Sequence, residues 1–259
     1  MSARPLLTVV MPVRDPSPQA LARCVASFAA LAYAARIELL LIHTGPFDAA
    51  IVAGSGGAFH SLRIMECEEK GIYRAYNAGI EAATGDYLVF FGHDDIVLPG
   101  MDAVLSGLER CAPARAVVAA DVWMEGRGIR SPTRCRSLIA FRNWCHQGIL
   151  YSRDALDGHA YDPAYPVRAD HVLNIRLLGD ARIAYRRFPV AVAFFSAGGF
   201  SSVRPEDPRF DADQASLARD AFGWPVACAI RRILPAVRLM RRLAVATASR
   251  ISRGRRRTP

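Results

Sequence analysis

GIYRAYNAGIEAATGDYLVFFGHDD, residues Gly71 to Asp95, decides the fold. Ile72 to Ala83 reads as a helix, and Thr84-Gly85 closes it. Tyr87 to Phe91 follows, wholly apolar and too short for a helix. A run of that length and character is a strand buried on both faces. The chain turns polar at once in Gly92-His93-Asp94-Asp95. A helix feeding directly into such a strand is the repeating unit of an α/β protein.

The same alternation extends outward on both sides. Upstream, Leu6 to Val13, Ile37 to Ile42 and Leu62 to Cys67 read as strands. Between the first two, Gln19 to Ala35 places Leu21, Val25, Phe28 and Leu31 at helical spacing. Downstream, Pro99 starts a helix with Met101, Val104, Leu105 and Leu108 inward, and Ala116 to Ala120 is a fifth strand. Beyond Trp123 the pattern loosens. Gly148 to Ser152 and Arg182 to Phe195 are expected strands, with a helix from Ala169 to Leu178 between them. The whole predicts an α/β fold with a mainly parallel sheet covered by helices on both faces.

Composition narrows the class. Hydrophobic residues are 52% of the 259 and charged residues 22%, which excludes wholesale disorder. The longest uncharged stretch, Phe188 to Val203, is 16 residues and holds Pro189, Gly198 and Gly199, too short and too broken for a spanning helix. The N-terminus has no signal-peptide shape, since its apolar run is brief and carries Pro12. Six cysteines form no CxxC pair and read as reduced thiols of a cytosolic protein. The formal net charge is +9, yet Arg231 to Pro259 contains ten arginines and no acid, so residues 1–230 sum to −1. The basic character belongs to a tail.

Ligands of open α/β sheets bind beyond the carboxyl ends of the strands. Those ends carry Arg14-Asp15, His43-Thr44-Gly45, Glu68-Glu69-Lys70-Gly71 and His93-Asp94-Asp95. Adjacent carboxylates repel unless a cation or donor groups sit between them. Mg²⁺ is typically held by one or two carboxylates plus substrate phosphates. The plain alternative is an acidic loop with Asp95 as a helix cap. His43, His93 and His146 lack the spacing of a zinc site.

The order of segments resembles family 2 glycosyltransferases of the GT-A fold. The carrying motifs are the strand Thr8 to Val13, A-x-N-x-G at Ala75 to Gly79, A-x-G-D-Y at Ala83 to Tyr87, and Asp94-Asp95. Cys145-His146-Gln147-Gly148, then Tyr161-Asp162 and Ala169-Asp170-His171, then Phe194 to Ser201 as F-x-x-G-G-x-S, look like the bacterial exopolysaccharide branch. The resemblance covers about residues 6 to 203. It implies a Rossmann-like GT-A domain over residues 1–205, and the remaining 206–259 read from their own pattern as an Arg-rich helical segment. It implies an inverting transferase that uses Mg²⁺ or Mn²⁺, a nucleoside diphosphate sugar donor and a glycan or lipid-linked acceptor. Asp95 is the expected metal ligand, with Asp94 beside it and near the donor ribose or sugar, and Asp170 the expected general base. As the cap of the following helix Asp170 would be ordinary. Pro12, Val13, Arg14, His43, Glu69, Lys70, Tyr73, Asn77, His146 and Gln147 complete the expected donor and substrate site.

Two departures stand out. His43 occupies the place of a base-reading Asp, with Asp48 following in the turn, and Arg74 replaces an acid. Arg74 suits either a phosphate or solvent. Trp144 is a candidate for stacking on an acceptor sugar. In the tail, Arg231, Arg232, Arg238, Arg241 and Arg242 share one side of a helix, and Ile230, Ile233, Val237, Met240 and Ala244 the other, with a kink expected at Pro235. That fits an anchor on an anionic membrane surface, on the cytoplasmic side. It also fits a helix packed on its own domain, and least well a nucleic-acid contact. Nucleic acid is not an expected partner. Two alternatives to a transferase remain: a nucleotidyltransferase, for which no Gly-rich phosphate loop follows the first strand, and a sugar-nucleotide-binding protein without turnover.

Overall fold

β1 (Leu7–Val13) sits inside the sheet, parallel to both β2 (Ile37–His43) and β4 (Tyr87–Phe90). The computed structural model describes residues 4–111, 113–196 and 206–237. β3 (Ser61–Glu66) lies beyond β2, again parallel. On the other side of β4 come β8 (Ile149–Ser152), antiparallel, then β6 (Ala116–Met124), β9 (Ala184–Phe195) and the short β5 (Ile96–Val97). β7 (Gly128–Arg130) hangs off β6 as a hairpin. The sheet is thus parallel in its first half and mixed in its second.

Alternate side chains of each inner strand enter two separate cores, which is why the strands read as unbroken apolar runs. Val9, Met11, Leu39, Leu41, Val89 and Phe91 face α1 (Pro18–Ala29) and α3 (Gly100–Arg110). Val10, Leu40, Ile42, Leu88 and Phe90 face α2 (Ile72–Ala82) and α5 (Ala169–Gly179). A four-residue helix, α4 (Arg153–Leu156), follows β8. Two glycines of the fold-deciding stretch act through close approach. A Cβ at Gly79 would fall 2.2 Å from Val10 Cγ1, and one at Gly85 2.7 Å from the Thr8 nitrogen. Any larger residue would push α2, or the turn before β4, off β1.

The helix expected over residues 19–35 ends at Ala29, and a 3₁₀ turn covers Ala34–Arg36. The Asp102 carboxylate of α3 accepts from the Ala32 and Tyr33 amides at 3.1 and 3.2 Å, an alternative to continuing the helix. The fifth strand runs four residues past Ala120 and folds into the β6–β7 hairpin, with Gly126 and Gly128 at φ +68° and +69°.

At the amino end of the strands, Glu38 is 1% exposed. It accepts from Thr8 Oγ1 (2.6 Å), the Thr84 amide (2.7 Å) and Arg63 Nη1 (2.9 Å). Burial pushes its pKa up, but these donors outweigh burial and hold it below the ordinary value. Its stabilisation is therefore present above the unfolded pKa and is lost as pH falls through the folded one. Glu38→Gln is expected to cost about 2–3 kcal/mol of stability. Urea unfolding at pH 7 and pH 4 checks this, with a smaller difference between the two proteins at the lower pH.

Past residue 205 the chain remains part of this body. α6 (Pro208–Phe222) buries Phe210 in the same core as α2 and α5. Residues 224–237 form a further helix, α7, which continues through Pro235. Ile230 of α7 is buried against Ala140 and Ala218, while Ile233 is 50% exposed. Packing on its own domain thus accounts for the start of the tail, and the break in sequence character at 205 is not a break in packing. Met240, Ala244 and the arginines from Arg238 onward lie outside the described residues.

Candidate active site

Three strand ends converge at the carboxyl edge of the parallel half. β4 delivers Gly92-His93-Asp94-Asp95, and both carboxylates fold back over Gly92. A Cβ there would meet Asp95 Oδ2 at 2.7 Å and Asp94 Oδ1 at 2.9 Å. Asp95 is 2% exposed. Its Oδ1 accepts from the Ser196 amide (2.9 Å) and its Oδ2 from Gln147 Nε2 (2.5 Å). The helix-cap alternative for Asp95 fails, since the helix that follows is capped at Pro99. Asp94 is the half-buried member, and no hydrogen bond or ion pair engages its carboxylate among the described residues. Burial pushes the Asp95 pKa up to about 7. The neighbouring charge of Asp94 adds to the rise, and the Ser196 and Gln147 donors oppose it.

The pair suits a hard divalent ion, having oxygen donors only and no cation of the protein between them. No group of three or more His, Cys, Asp or Glu is placed to hold a metal among the described residues. Among the described residues the pair thus supplies part of a coordination shell. The sign of the pH effect follows. Asp95 ionises near pH 7 in the folded chain and near the usual carboxylate range when unfolded, so its contribution to stability is lost as pH rises through about 7. A bound cation offsets that loss. Mn²⁺ is therefore expected to raise Tm more at pH 8 than at pH 6, and thermal melts at both values check it.

Gln147 reaches Asp95 from the 3₁₀ turn His146–Gly148. It is 1% exposed, and its Oε1 accepts from Cys145 Sγ at 2.8 Å. Expected to touch substrate, it instead holds a carboxylate 52 positions away. Its neighbour His146 lies with Nε2 3.4 Å from Tyr76 Oη. Burial lowers the His146 pKa, with the Asp170 charge pulling the other way, which keeps the ring neutral near pH 7.

Asp170 lies in the first turn of α5, whose cap is Arg168, so the capping role fails. Its Oδ2 accepts from Asn143 Nδ2 at 2.6 Å, and Tyr73 Oη lies 3.1 Å from its Oδ1. The Tyr73 hydroxyl also donates to the Val167 carbonyl (2.7 Å), and burial together with Asp170 keeps that phenol protonated. Asn143 is held in turn by Asn174, and Asn174 by Tyr151. Asp207 fixes the entry to α5, accepting from the Val167 and Arg168 amides at 3.1 and 3.0 Å. Sequence reasoning missed Asn143, Asn174, Ser196 and Asp207. Asp207 followed by Pro208 does carry the local signature of a helix start.

Asn143, Trp144, His146, Gln147 and Asp170 share a cavity of about 390 Å³. Trp144 is 6% exposed and stacks on Tyr185 with centroids 5.2 Å apart, so it is not a free platform for a sugar. A larger cavity of about 780 Å³ lies beside Arg153 and Asp157, at the opposite end of β4 and β8 and away from these carboxylates.

Other expected site residues fall elsewhere. Asn77 spends its amide on the Tyr161 backbone, with both bonds at 2.8 Å, and is a clamp rather than a donor contact. Tyr73 belongs to the Asp170 side. Glu69 is ion-paired with Arg74, both side chains exposed. Lys70 is exposed. Arg14 is exposed beside Asp15 at 3.7 Å. Val13 is buried in the core and Pro12 is partly exposed before it. His43 ends β2 with Nδ1 donating to the Gly45 carbonyl (2.8 Å) and its ring stacked on Phe47. That leaves Nε2 as an acceptor. The F-x-x-G-G-x-S segment lies outside the described residues from Ala197 onward.

A twisted, mainly parallel sheet with helices on both faces and acids gathered at its strand ends is the GT-A fold. The family model described as "Glycosyl transferase family 2" matches residues 8–133. A "PGL/p-HBAD biosynthesis glycosyltransferase" of Mycobacterium tuberculosis is 29% identical over 211 residues, 77% of this chain and 80% of that one. S. aureus TarS residues 1–349 in complex with UDP superposes with TM-score 0.66 at 15% identity, over 83% of this chain and 66% of that one. The chain spans 40% of the longer TarS structure. Mannosyltransferase PcManGT of Pyrobaculum calidifontis, in complex with GDP-Man and Mn²⁺, matches with TM-score 0.59 at 15% identity, over 95% of this chain and 81% of that one. Residues 8–133 thus carry a family 2 glycosyltransferase domain, and the chain is a glycosyltransferase.

Proposed function

We propose that the enzyme transfers one sugar, with inversion, from a nucleoside diphosphate sugar to a glycan or lipid-linked acceptor in surface polysaccharide or glycolipid assembly. The observation that carries this is Asp170. Its carboxylate is fixed by Asn143 and Tyr73, and it lines one cavity with Gln147, which is bonded to Asp95. A positioned carboxylate within reach of an acceptor hydroxyl takes its proton as the oxygen attacks the anomeric carbon. The sugar–phosphate bond breaks on the opposite face, and no protein nucleophile is required. The phenol of Tyr73 and the amide of Asn143 keep Asp170 in one orientation. Neutral His146 lines the same cavity as a hydrogen-bonding group.

Asp94, with Asp95 behind it, would hold Mg²⁺ or Mn²⁺, which neutralises the departing diphosphate as a Lewis acid. Asp94 takes the place first given to Asp95, because the Asp95 oxygens already serve Ser196 and Gln147. His43 Nε2 offers an acceptor to a nucleobase N–H. Similarity to structures with UDP and with GDP-Man leaves both donor classes in the test. The purified chain is incubated with UDP- and GDP-sugars and Mn²⁺, and nucleotide release is followed with and without candidate acceptors. Release that depends on an acceptor supports the reading; donor binding without transfer to any acceptor favours the binding protein.

The Arg-rich end is proposed to touch an anionic membrane surface. Residues 238–259 carry eight arginines and no acid, so deleting them takes the net charge from +9 to +1. Each arginine at such a surface contributes on the order of 1 kcal/mol, screened by salt. Deletion from 238 spares Ala227 and Ile230, which pack on the body. The truncated chain is expected to stay folded and leave phosphatidylglycerol vesicles. Unchanged co-sedimentation would place the contact elsewhere. Among the described residues no helix is long and apolar enough to cross a membrane.

A further inference from the structure

The cavity that holds Asp170 is also lined by four arginines from three elements. Arg127 and Arg130 come from the β6–β7 hairpin, Arg142 from just past the 3₁₀ turn Arg136–Ala140, and Arg168 from the cap of α5. One carboxylate, Asp170, faces them there, and its oxygens already accept from Asn143 and Tyr73. His146 is neutral. Elsewhere in the body some arginines meet acids, as Arg36 does Glu109, Arg63 Glu38 and Arg187 Asp121, and others, such as Arg136 and Arg153, donate to backbone carbonyls. Arg127, Arg130 and Arg142 have no carboxylate partner among the described residues. Residues 1–230 sum to −1, so the cluster is not one corner of a generally basic surface. Gathering like charges around one cavity costs free energy unless an anion fills it. Guanidinium matches the oxygens of a phosphate in paired hydrogen bonds.

Building on the transferase reading, we infer that the acceptor is itself a phosphorylated sugar, whose phosphate is read by Arg127, Arg130 and Arg142 while its hydroxyl faces Asp170. The donor diphosphate is assigned to Asp94 and Asp95 on the far side of Gln147. The arginines share their cavity with the base instead, so the anion they select travels with the acceptor. A neutral sugar would leave these charges uncompensated, and the site discriminates against it.

The test uses the full chain saturated with UDP, and in a second series with GDP. Glucose 1-phosphate is titrated by calorimetry, with methyl glucoside as the uncharged control. Glucose 1-phosphate is expected to bind without being displaced by either nucleotide. Affinity should fall at least about tenfold in Arg127→Gln/Arg130→Gln, the scale of lost charge-assisted hydrogen bonds. Both positions are exposed, and circular dichroism verifies the fold of the variant. Four results overturn the inference: no glucose 1-phosphate binding at millimolar concentration, displacement by nucleotide, equal binding of methyl glucoside, or unchanged affinity in the double variant. Phosphatidylglycerol vesicles form the last arm. A variant that loses only vesicle binding would assign these arginines to a lipid surface and also overturn the pocket. Failure of the transfer reading shows separately, as absence of nucleotide release from every sugar donor, and leaves the phosphate titration standing.

Discussion

Asp170→Asn is expected to lower kcat by about 10²–10⁴-fold, the range for a lost general base, with nucleoside diphosphate affinity unchanged. The substitution keeps the size of the side chain and one oxygen, so Asn143 or Tyr73 can still donate to it. What disappears is a group able to take the acceptor proton. The donor side should not notice, since Gln147 and Asp95 make their contacts independently of Asp170. Steady-state kinetics and calorimetry on one preparation separate the two quantities. A fall in both would make Asp170 a structural anchor for α5 and the Asn143 chain. Survival of both would pass the role to another carboxylate, and Asp162, paired with Arg176 at 3.6 Å, is the weaker choice.

Asp94→Asn and Asp95→Asn should fail in different ways. The Asp94 carboxylate has no hydrogen-bond duty among the described residues, so its loss is expected to spare Tm and reduce metal-stimulated transfer by about 10²–10³-fold. That is the scale for removing one charge-stabilising group from a reacting centre. Asp95 accepts from a backbone amide and from Gln147 while almost fully buried. An asparagine there accepts through one oxygen only and leaves a donor facing a donor, at about 1–3 kcal/mol. Asp95→Asn should therefore lower Tm as well as activity. If Asp95→Asn left Tm unchanged and Asp94→Asn lowered it, the roles given to the pair would be reversed.

The fold was legible because its inner strands are buried on both faces. Tyr87–Phe90 and Ile37–His43 show that as uninterrupted apolar sequence, and Gly79 and Gly85 mark where α2 and the turn before β4 touch β1. The site was legible as a set of types but not as a set of contacts. Asn77 looked like a ligand because its place in the motif is visible, whereas its partner, the Tyr161 backbone, lies 84 positions away. Gln147 looked like a substrate contact for the same reason, with Asp95 out of sight across 52 positions. Asn143 gave no local signal, since its role depends on Asp170 and Asn174 arriving from a helix about 30 residues downstream. The early end of α1 was hidden likewise, because the carboxylate responsible belongs to α3.

Single displacement with Asp170 as base is most directly tested by the configuration of the product. The enzyme is supplied with an α-linked nucleoside diphosphate sugar, Mn²⁺ and acceptor, and the anomeric proton of the first product is read by NMR before any equilibration. The account predicts the β anomer, with the signal lost in Asp170→Asn. An α-linked product would contradict it, because a single back-side displacement at the anomeric carbon inverts its configuration.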